Sequence, residues 1–403
     1  MTRRLSVCYV VPGHDLMSTM GPTRNVLNLA RALGEWCDVT VAFRRLADER
    51  PPEGMAMLEI EPKASAATVD DAANSGIGYG AFLNYLGTLN RFVDAQLPHF
   101  DIVLEKSWLL SGHVTSRCLR RGQLAVPIEN IVQNATHAAR NQPMKFLRMK
   151  AGGWIAGRNL RRAPLVIAET DVLKREIAQF HGVAADRIAV VNLGVDRELF
   201  RPLAQAPARI QLGIDPDCCV LGYVGVLDLT HNLAPVIEAL GATGRSDVEL
   251  HITGDGARRE EYRLLAEARG ARVVFHGKVP HGQVPLYIAA ADLCLAPYDP
   301  VAFSSGELGY STMKIPEYLA VGRAVVSVPS GRIRSLVTEG VTGFLFQNTV
   351  AEWKRFLGEL PGRARLEELG DAAARVAMPT WRDTARAYLD LCEAQLKDRK
   401  VGA

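Results

Sequence analysis

Residues 304–326 read SSGELGYSTMKIPEYLAVGRAVV, and residues 194–196 upstream read GVD. A small, polar loop made of Ser304, Ser305, Gly306, Gly309, Ser311 and Thr312 runs into a helix-forming segment. That segment stops at Gly322, and the apolar run Ala324-Val325-Val326 follows at once. Loop, helix and buried strand in this order are the repeating piece of an α/β sheet. A helix N-terminus offers unpaired backbone N–H groups and a partial positive charge, which is a ready seat for a diphosphate. Glu317, further along the helix, is the carboxylate placed to accept hydrogen bonds from a ribose. The layout predicts a nucleotide-sugar site.

Strand and helix patterns alternate outward from this stretch. Short apolar runs lie at 5–11, 39–43, 102–104, 128–132, 165–168 and 188–191, and again at 220–224, 248–253, 272–275, 293–296 and 324–328. Segments of helical period separate them, at 23–33 and 82–96 in the first half. In the second half they fall at 234–240, 260–269, 284–290 and 313–319. The fold class is therefore α/β, with a parallel sheet covered on both faces, formed twice. The joint falls in RPLAQAPA at 201–208, which divides the chain into 1–205, 206–378 and a last helix within 379–403. The Ala/Asp/Gly-rich stretch 63–80 reads as an irregular loop.

At 403 residues the chain is long for one core and comfortable for two. A net charge of +3, evenly spread, gives no ground for a nucleic-acid partner. The seven cysteines (8, 37, 118, 218, 219, 294, 392) show no ligand spacing, and several sit in apolar runs where cysteine acts as a small hydrophobe. They read as reduced thiols, pointing to a cytoplasmic location. No run approaches the ~20 apolar residues that span a bilayer. Asp70-Asp71 reads as a solvated loop rather than a pair of metal ligands. No metal and no cofactor are expected.

Five segments in order carry a resemblance. They are AETDVLKREIAQFHGVAADRIAVVNLGVDRELFRP (168–202), LGYVGVLDLTHNLAPVIEAL (221–240), LHITGDGARREEYRLLAEARG (250–270), VVFHGKVPHGQVPLYIAAADLCLAPY (273–298) and WRDTARAYLDLCEAQL (381–396). Together they resemble the group 1 glycosyltransferases of the GT-B fold, a large retaining family. That resemblance implies two Rossmann-like domains facing a cleft, with the donor on the second domain and the acceptor on the first. Closure of such a cleft would exclude water. It also implies transfer of a hexose from a nucleoside diphosphate sugar to a hydroxyl acceptor on a glycan, lipid or small molecule. UDP is the favoured carrier and GDP the next, with retention and without metal, the leaving diphosphate taking the acceptor's proton.

The family pattern maps onto this chain with departures. Glu317 fits the ribose carboxylate of Glu-x7-Glu, but the first position of that motif falls on Gly309, so Glu307 stands nearest for the sugar. STMKIPEYLA resembles a variant in which Ser311, Thr312 and Met313 offer backbone N–H groups to the diphosphate, supported by Lys314. After Gly225 the family places an arginine and then a lysine, where this chain has Val226 and His231. His231 clamps phosphate only when protonated, and Arg258 or Arg24 stands as a substitute. Gly254 opens the GDG turn, and Phe275-His276-Gly277-Lys278-Val279 matches the backbone segment that reads the base. Gly21 fits one of the phosphate-loop glycines of the first domain. The family's mid-domain histidine falls on Gln133 or Asn134, with His137 three residues on and His113 after another strand.

Residues 140–162, RNQPMKFLRMKAGGWIAGRNLRR, are basic and apolar with no acidic residue. A helix there suits peripheral contact with an anionic membrane face through Phe146, Leu147 and Trp154, or an anionic acceptor. Two alternatives stay open: a non-catalytic GT-B protein that binds a nucleotide or glycan, and a GT-B sugar-nucleotide 2-epimerase.

Overall fold

The computed structural model describes residues 3–16, 21–46, 52–61, 79–132, 143–299 and 305–401. Contacts divide the chain into two compact units. One comprises Met1–Leu193, Gly309–Ser311 and Trp381–Ala403, and the other Gly194–Leu308 and Thr312–Thr380. The division falls upstream of the expected joint, whose last residues instead open the helix Gln205–Leu212.

In the first unit seven strands form one parallel sheet in the order β3-β2-β1-β4-β5-β6-β7. These are β1 (Ser6–Val11), β2 (Asp38–Phe43), β3 (Ala56–Glu59), β4 (Ile102–Lys106), β5 (Leu124–Glu129), β6 (Val166–Ala168) and β7 (Ile188–Val190). The central strands are buried on both faces, as helix-covered parallel strands are. Tyr85, Leu89 and Val93 of the helix Tyr79–Gln96 pack on Cys8, Val10 and Val103. The strand expected at 128–132 starts earlier, at Leu124, and ends at Glu129. Pro127 pairs with Glu105 inside it, and a proline in a central strand is what hid its first half.

The helix Pro143–Leu160 runs unbroken through Gly152-Gly153. A Cβ on Gly152 would lie 2.9 Å from Leu109 Cδ1, so that glycine is explained by close packing rather than by a break. The last helix, Trp381–Val401, packs on the helix Gly21–Leu33. Arg382 Nε meets Glu35 Oε2 at 2.8 Å, and Thr384 Oγ1 donates to the Asn192 carbonyl.

The second unit holds a six-stranded parallel sheet in the order β10-β9-β8-β11-β12-β13. Its strands are β8 (Cys219–Val224), β9 (Val248–Thr253), β10 (Val273–Gly277), β11 (Leu293–Ala296), β12 (Ala324–Ser327) and β13 (Gly343–Leu345). Leu221, Leu250, Ile252, Leu293, Leu295 and Val326 meet Ile237, Leu240, Tyr262, Trp353 and Leu357 in one buried cluster. Arg209 is buried beside this sheet, with Nη2 2.5 Å from Asp292 Oδ2 and its other nitrogens on the carbonyls of Ala290, Pro216 and Cys218.

Candidate functional site

Each sheet steps outward in both directions from its first strand, so the order reverses beside β1 in one unit and beside β8 in the other. Ligands of open α/β sheets bind beyond the carboxyl ends of the strands at that switch point. In the second unit the residues there are Gly225 after β8, Tyr298 after β11, and the start of the helix Lys314–Val321. No side chain caps that helix at Met313, which leaves its first N–H groups without a side-chain partner.

Two glycine turns shape the crevice. Gly225 has φ +151°, and a Cβ there would stand 2.9 Å from Lys314 Nζ and 3.1 Å from Tyr223 Oη. A Cβ on Gly254 would fall 1.9 Å from the Gly225 carbonyl oxygen, so the turns after β8 and β9 touch backbone to backbone. Gly225 N–H donates to Thr253 O and Leu227 N–H to Asp255 O, which laces the turns together.

Lys314 lies over this surface. Its Nζ donates to Tyr223 Oη at 3.2 Å and sits 4.5 Å from the Tyr223 ring centroid and 5.4 Å from that of Tyr298. The tyrosines are buried, and Thr312 Oγ1 hydrogen-bonds Tyr298 Oη. Tyr223 Oη donates in turn to the Val226 carbonyl and accepts from the ammonium. Glu317 stands one turn on, partly exposed. Desolvation dominates both charges: it lowers Lys314 to about 7, against the pull of Asp228 and Glu317. It raises Glu317 to about 8, against the pull of Lys314. Both side chains keep some contact with solvent.

His231 is not a cation here. Its Nδ1 lies 2.8 Å from Asp228 Oδ1, and burial followed by the charge of Lys314 pulls it down to about 4 despite that carboxylate. Burial pushes Asp228 up, but bonds from His231 and Thr230 outweigh it and hold the carboxyl below its usual range. The loop that was expected to bring a phosphate clamp therefore brings a carboxylate and a neutral imidazole. Arg258 is also engaged, with Nε on Glu261 Oε2 at 2.9 Å and its guanidinium 4.7 Å above the Tyr262 ring. Val226 is exposed.

The other expected residues distribute as follows. Lys278 is exposed and Val279 partly so, both just beyond β10 and the left-handed Gly277. Glu307 lies in the loop before Leu308, its N–H on Ser305 Oγ. Gly309 and Ser311 group with the first unit, where Thr170 Oγ1 donates to the Gly309 carbonyl and Ser311 N–H reaches Glu169 Oε2 at 3.4 Å. Gly21 begins its helix in open space. Asn134, His137, Gln133 and Asp70-Asp71 lie outside the described residues. His113 bonds Asn90 Oδ1 at 2.9 Å and is lowered to about 4 by burial and Arg117, which fits a structural role. Among the described residues no group of three or more His, Cys, Asp or Glu is arranged to hold a metal ion.

Two family models match. Residues 218–384 match the model described as "Glycosyl transferases group 1", and residues 20–199 match "Glycosyltransferase Family 4". The chain is a group 1 glycosyltransferase of the GT-B fold. It is 29% identical over 322 residues to a D-inositol 3-phosphate glycosyltransferase of Nocardia farcinica, covering 75% of this chain and 68% of the relative. A protein of the same name from Kribbella flavida is 26% identical over 385 residues, covering 89% and 83%. Among solved structures it superposes on sucrose-phosphate synthase from Thermosynechococcus elongatus with TM-score 0.75 at 19% identity, covering 98% and 100%. Anabaena HepE in complex with UDP and glucose gives TM-score 0.72 at 17% identity, covering 96% and 99%.

In this glycosyltransferase, sequence reasoning missed Tyr223, Tyr298 and Asp228. Asp228 carried a signal, because an Asp three residues before a His in a loop suggests a local pair. The tyrosines carried none, since buried aromatics beside strands read as core.

Proposed function

We propose that this glycosyltransferase moves a hexose from a nucleoside diphosphate sugar, with UDP the favoured carrier, to a hydroxyl acceptor, with retention and without metal. The observation that carries the reading is the placement of Lys314 and Glu317 one turn apart beside Gly225 at the switch point of the second sheet. An uncapped helix start and an ammonium are what a leaving diphosphate requires, since charge develops on it as the glycosidic bond breaks. Glu317 suits the ribose hydroxyls. The UDP complexes of HepE support UDP as the first nucleotide to try. The names of the relatives support a phosphorylated cyclitol as the first acceptor.

The test is a donor screen of UDP- and GDP-hexoses against D-inositol 3-phosphate, with and without EDTA, the product's anomeric configuration read by NMR. An α-linked product from an α-linked donor that survives EDTA supports the whole reading. Inversion or loss with EDTA overturns the corresponding part. Nucleotide binding without transfer to any hydroxyl acceptor would favour a binding protein.

Peripheral membrane contact is a further part of this reading. Among the described residues no helix is long and apolar enough to cross a membrane. Leu147 and Trp154 are 62% and 65% exposed on the basic helix Pro143–Leu160, where Lys150 and Arg158 lie over the rings of Phe146 and Trp154. Apolar side chains among cations suit an anionic lipid surface.

A further inference from the structure

The loop after β8 presents the donor site with a paradox of charge. Its exposed residues are Val226 and Leu229, its only charged side chain is Asp228, and its histidine is spent on that aspartate. An anionic diphosphate brought to such a loop meets repulsion. Lys314 comes to the same place from the opposite side, and Gly225 makes room for it, because any Cβ there would overlap the ammonium.

We propose that Lys314, held in the cradle of Gly225, Tyr223 and Tyr298, supplies the counter-charge for the donor's diphosphate and couples donor binding to uptake of a proton. The inference rests on the donor reading above and adds to it a mode of regulation. The groups that face Lys314 are Tyr223 from β8, Asp228 and His231 from the following loop, Tyr298 beyond β11, and Glu317 on its own helix. Glu317 in turn faces Asp196. The tyrosine faces favour a cation, yet they also strip water from it, and only Asp228 and Glu317 oppose that loss. The free ammonium is therefore partly deprotonated near neutrality. A bound diphosphate restores the missing counter-charge and raises its affinity for a proton. Nε of Arg258 and the His231 ring do not compete for this task, because each is already paired with a carboxylate.

The linkage sets the sign. Above the free enzyme's ionisation, binding must bring a proton with it, so affinity falls as pH rises. UDP's own terminal phosphate has its last pKa near 6 and is almost fully ionised by pH 7.5, where the window used begins. The experiment is calorimetric titration of UDP into the full chain from pH 7.5 to 9, in buffers of different ionisation enthalpy. The wild type is expected to take up close to one proton per UDP at the top of that range. Its Kd is expected to weaken roughly 25-fold across it.

Glu317 is itself raised to about 8 and titrates in the same window, so Lys314→Arg is compared with its parent in a Glu317→Gln background; there it keeps a charge at every pH in this range and should bind with no uptake and a flat profile. Lys314→Gln should bind roughly tenfold or more weakly at pH 7.5, and in the same background also without uptake. Thermal melts of each variant confirm that the site is folded. Uptake that persists in Lys314→Arg in that background, or wild-type affinity in Lys314→Gln, overturns the inference and leaves the donor reading standing. Absence of UDP, GDP and ADP binding to the wild type overturns the donor reading itself, and the inference with it.

Discussion

Gly225→Ala separates the two things that glycine does. The backbone there has φ +151°, a region L side chains rarely enter, and holding alanine in it costs roughly 1–3 kcal/mol. The new methyl would also stand 2.9 Å from Lys314 Nζ. That atom ends a flexible side chain, so it moves aside at little cost to stability. The loss in folding free energy is therefore set mainly by the backbone, with a smaller part from the buried Tyr223, whose Oη would stand 3.1 Å from the new methyl. For a domain of this size it appears as a melting shift of roughly 2–10 °C. The consequence for binding is larger than the stability change suggests, because a displaced ammonium no longer lies on Tyr223 or above the crevice. One charge-assisted hydrogen bond is worth about 1.5–3 kcal/mol, so UDP affinity should fall roughly ten- to hundredfold. Melting by circular dichroism and UDP titration on Gly225→Ala, Lys314→Gln and the double variant make the assay. The two substitutions remove one interaction, so the double variant should bind hardly worse than Lys314→Gln. Full additivity, or wild-type affinity in Gly225→Ala, would refute the seat assigned to Lys314.

Arg209→Met should destabilise the protein by roughly 3–5 kcal/mol, read by urea denaturation, because it leaves Asp292 buried without its cation. Glu129 gives a pH test. Burial, then Glu105, raises its carboxyl to about 8, and one of its oxygens has no hydrogen-bond partner. The folded state thus holds a proton that the unfolded chain releases between about pH 4.5 and 8, so wild-type stability falls across that window. Glu129→Gln should remove this contribution, and its melting temperature should gain on the wild type as pH rises from 5 to 8; a constant difference would contradict a neutral buried acid. Leu147→Glu with Trp154→Glu should abolish co-sedimentation with anionic vesicles while leaving UDP binding intact, and unchanged sedimentation would remove the helix Pro143–Leu160 from any membrane role.

Much of the fold was legible in the sequence because its signals are local. An apolar run bounded by polar segments needs no distant partner to be recognised, and β9 and β11 were read to the residue. The edge strands β3 and β13 were not read. Four and three residues long, they owe their conformation to the strand beside them. Pro127 misled the reading of β5, since a local rule about proline lost to the pairing supplied by β4. Similarly, Gly152-Gly153 weakens a helix in isolation and is overruled by the contact with Leu109.

The sequence by itself determined that there would be two parallel sheets, a diphosphate-ready helix start before β12, and Glu317 behind it. Only the tertiary structure decided which basic side chain stands beside that helix start. Charge state is a property of surroundings, and the surroundings of Lys314 are assembled from residues 91 positions away in Tyr223 and from a glycine whose missing side chain leaves the space. In the linear chain His231 and Lys314 are both basic candidates. In the folded one burial and the charge of Lys314 leave the histidine neutral despite Asp228, and the aromatic cradle leaves the lysine close to its titration point.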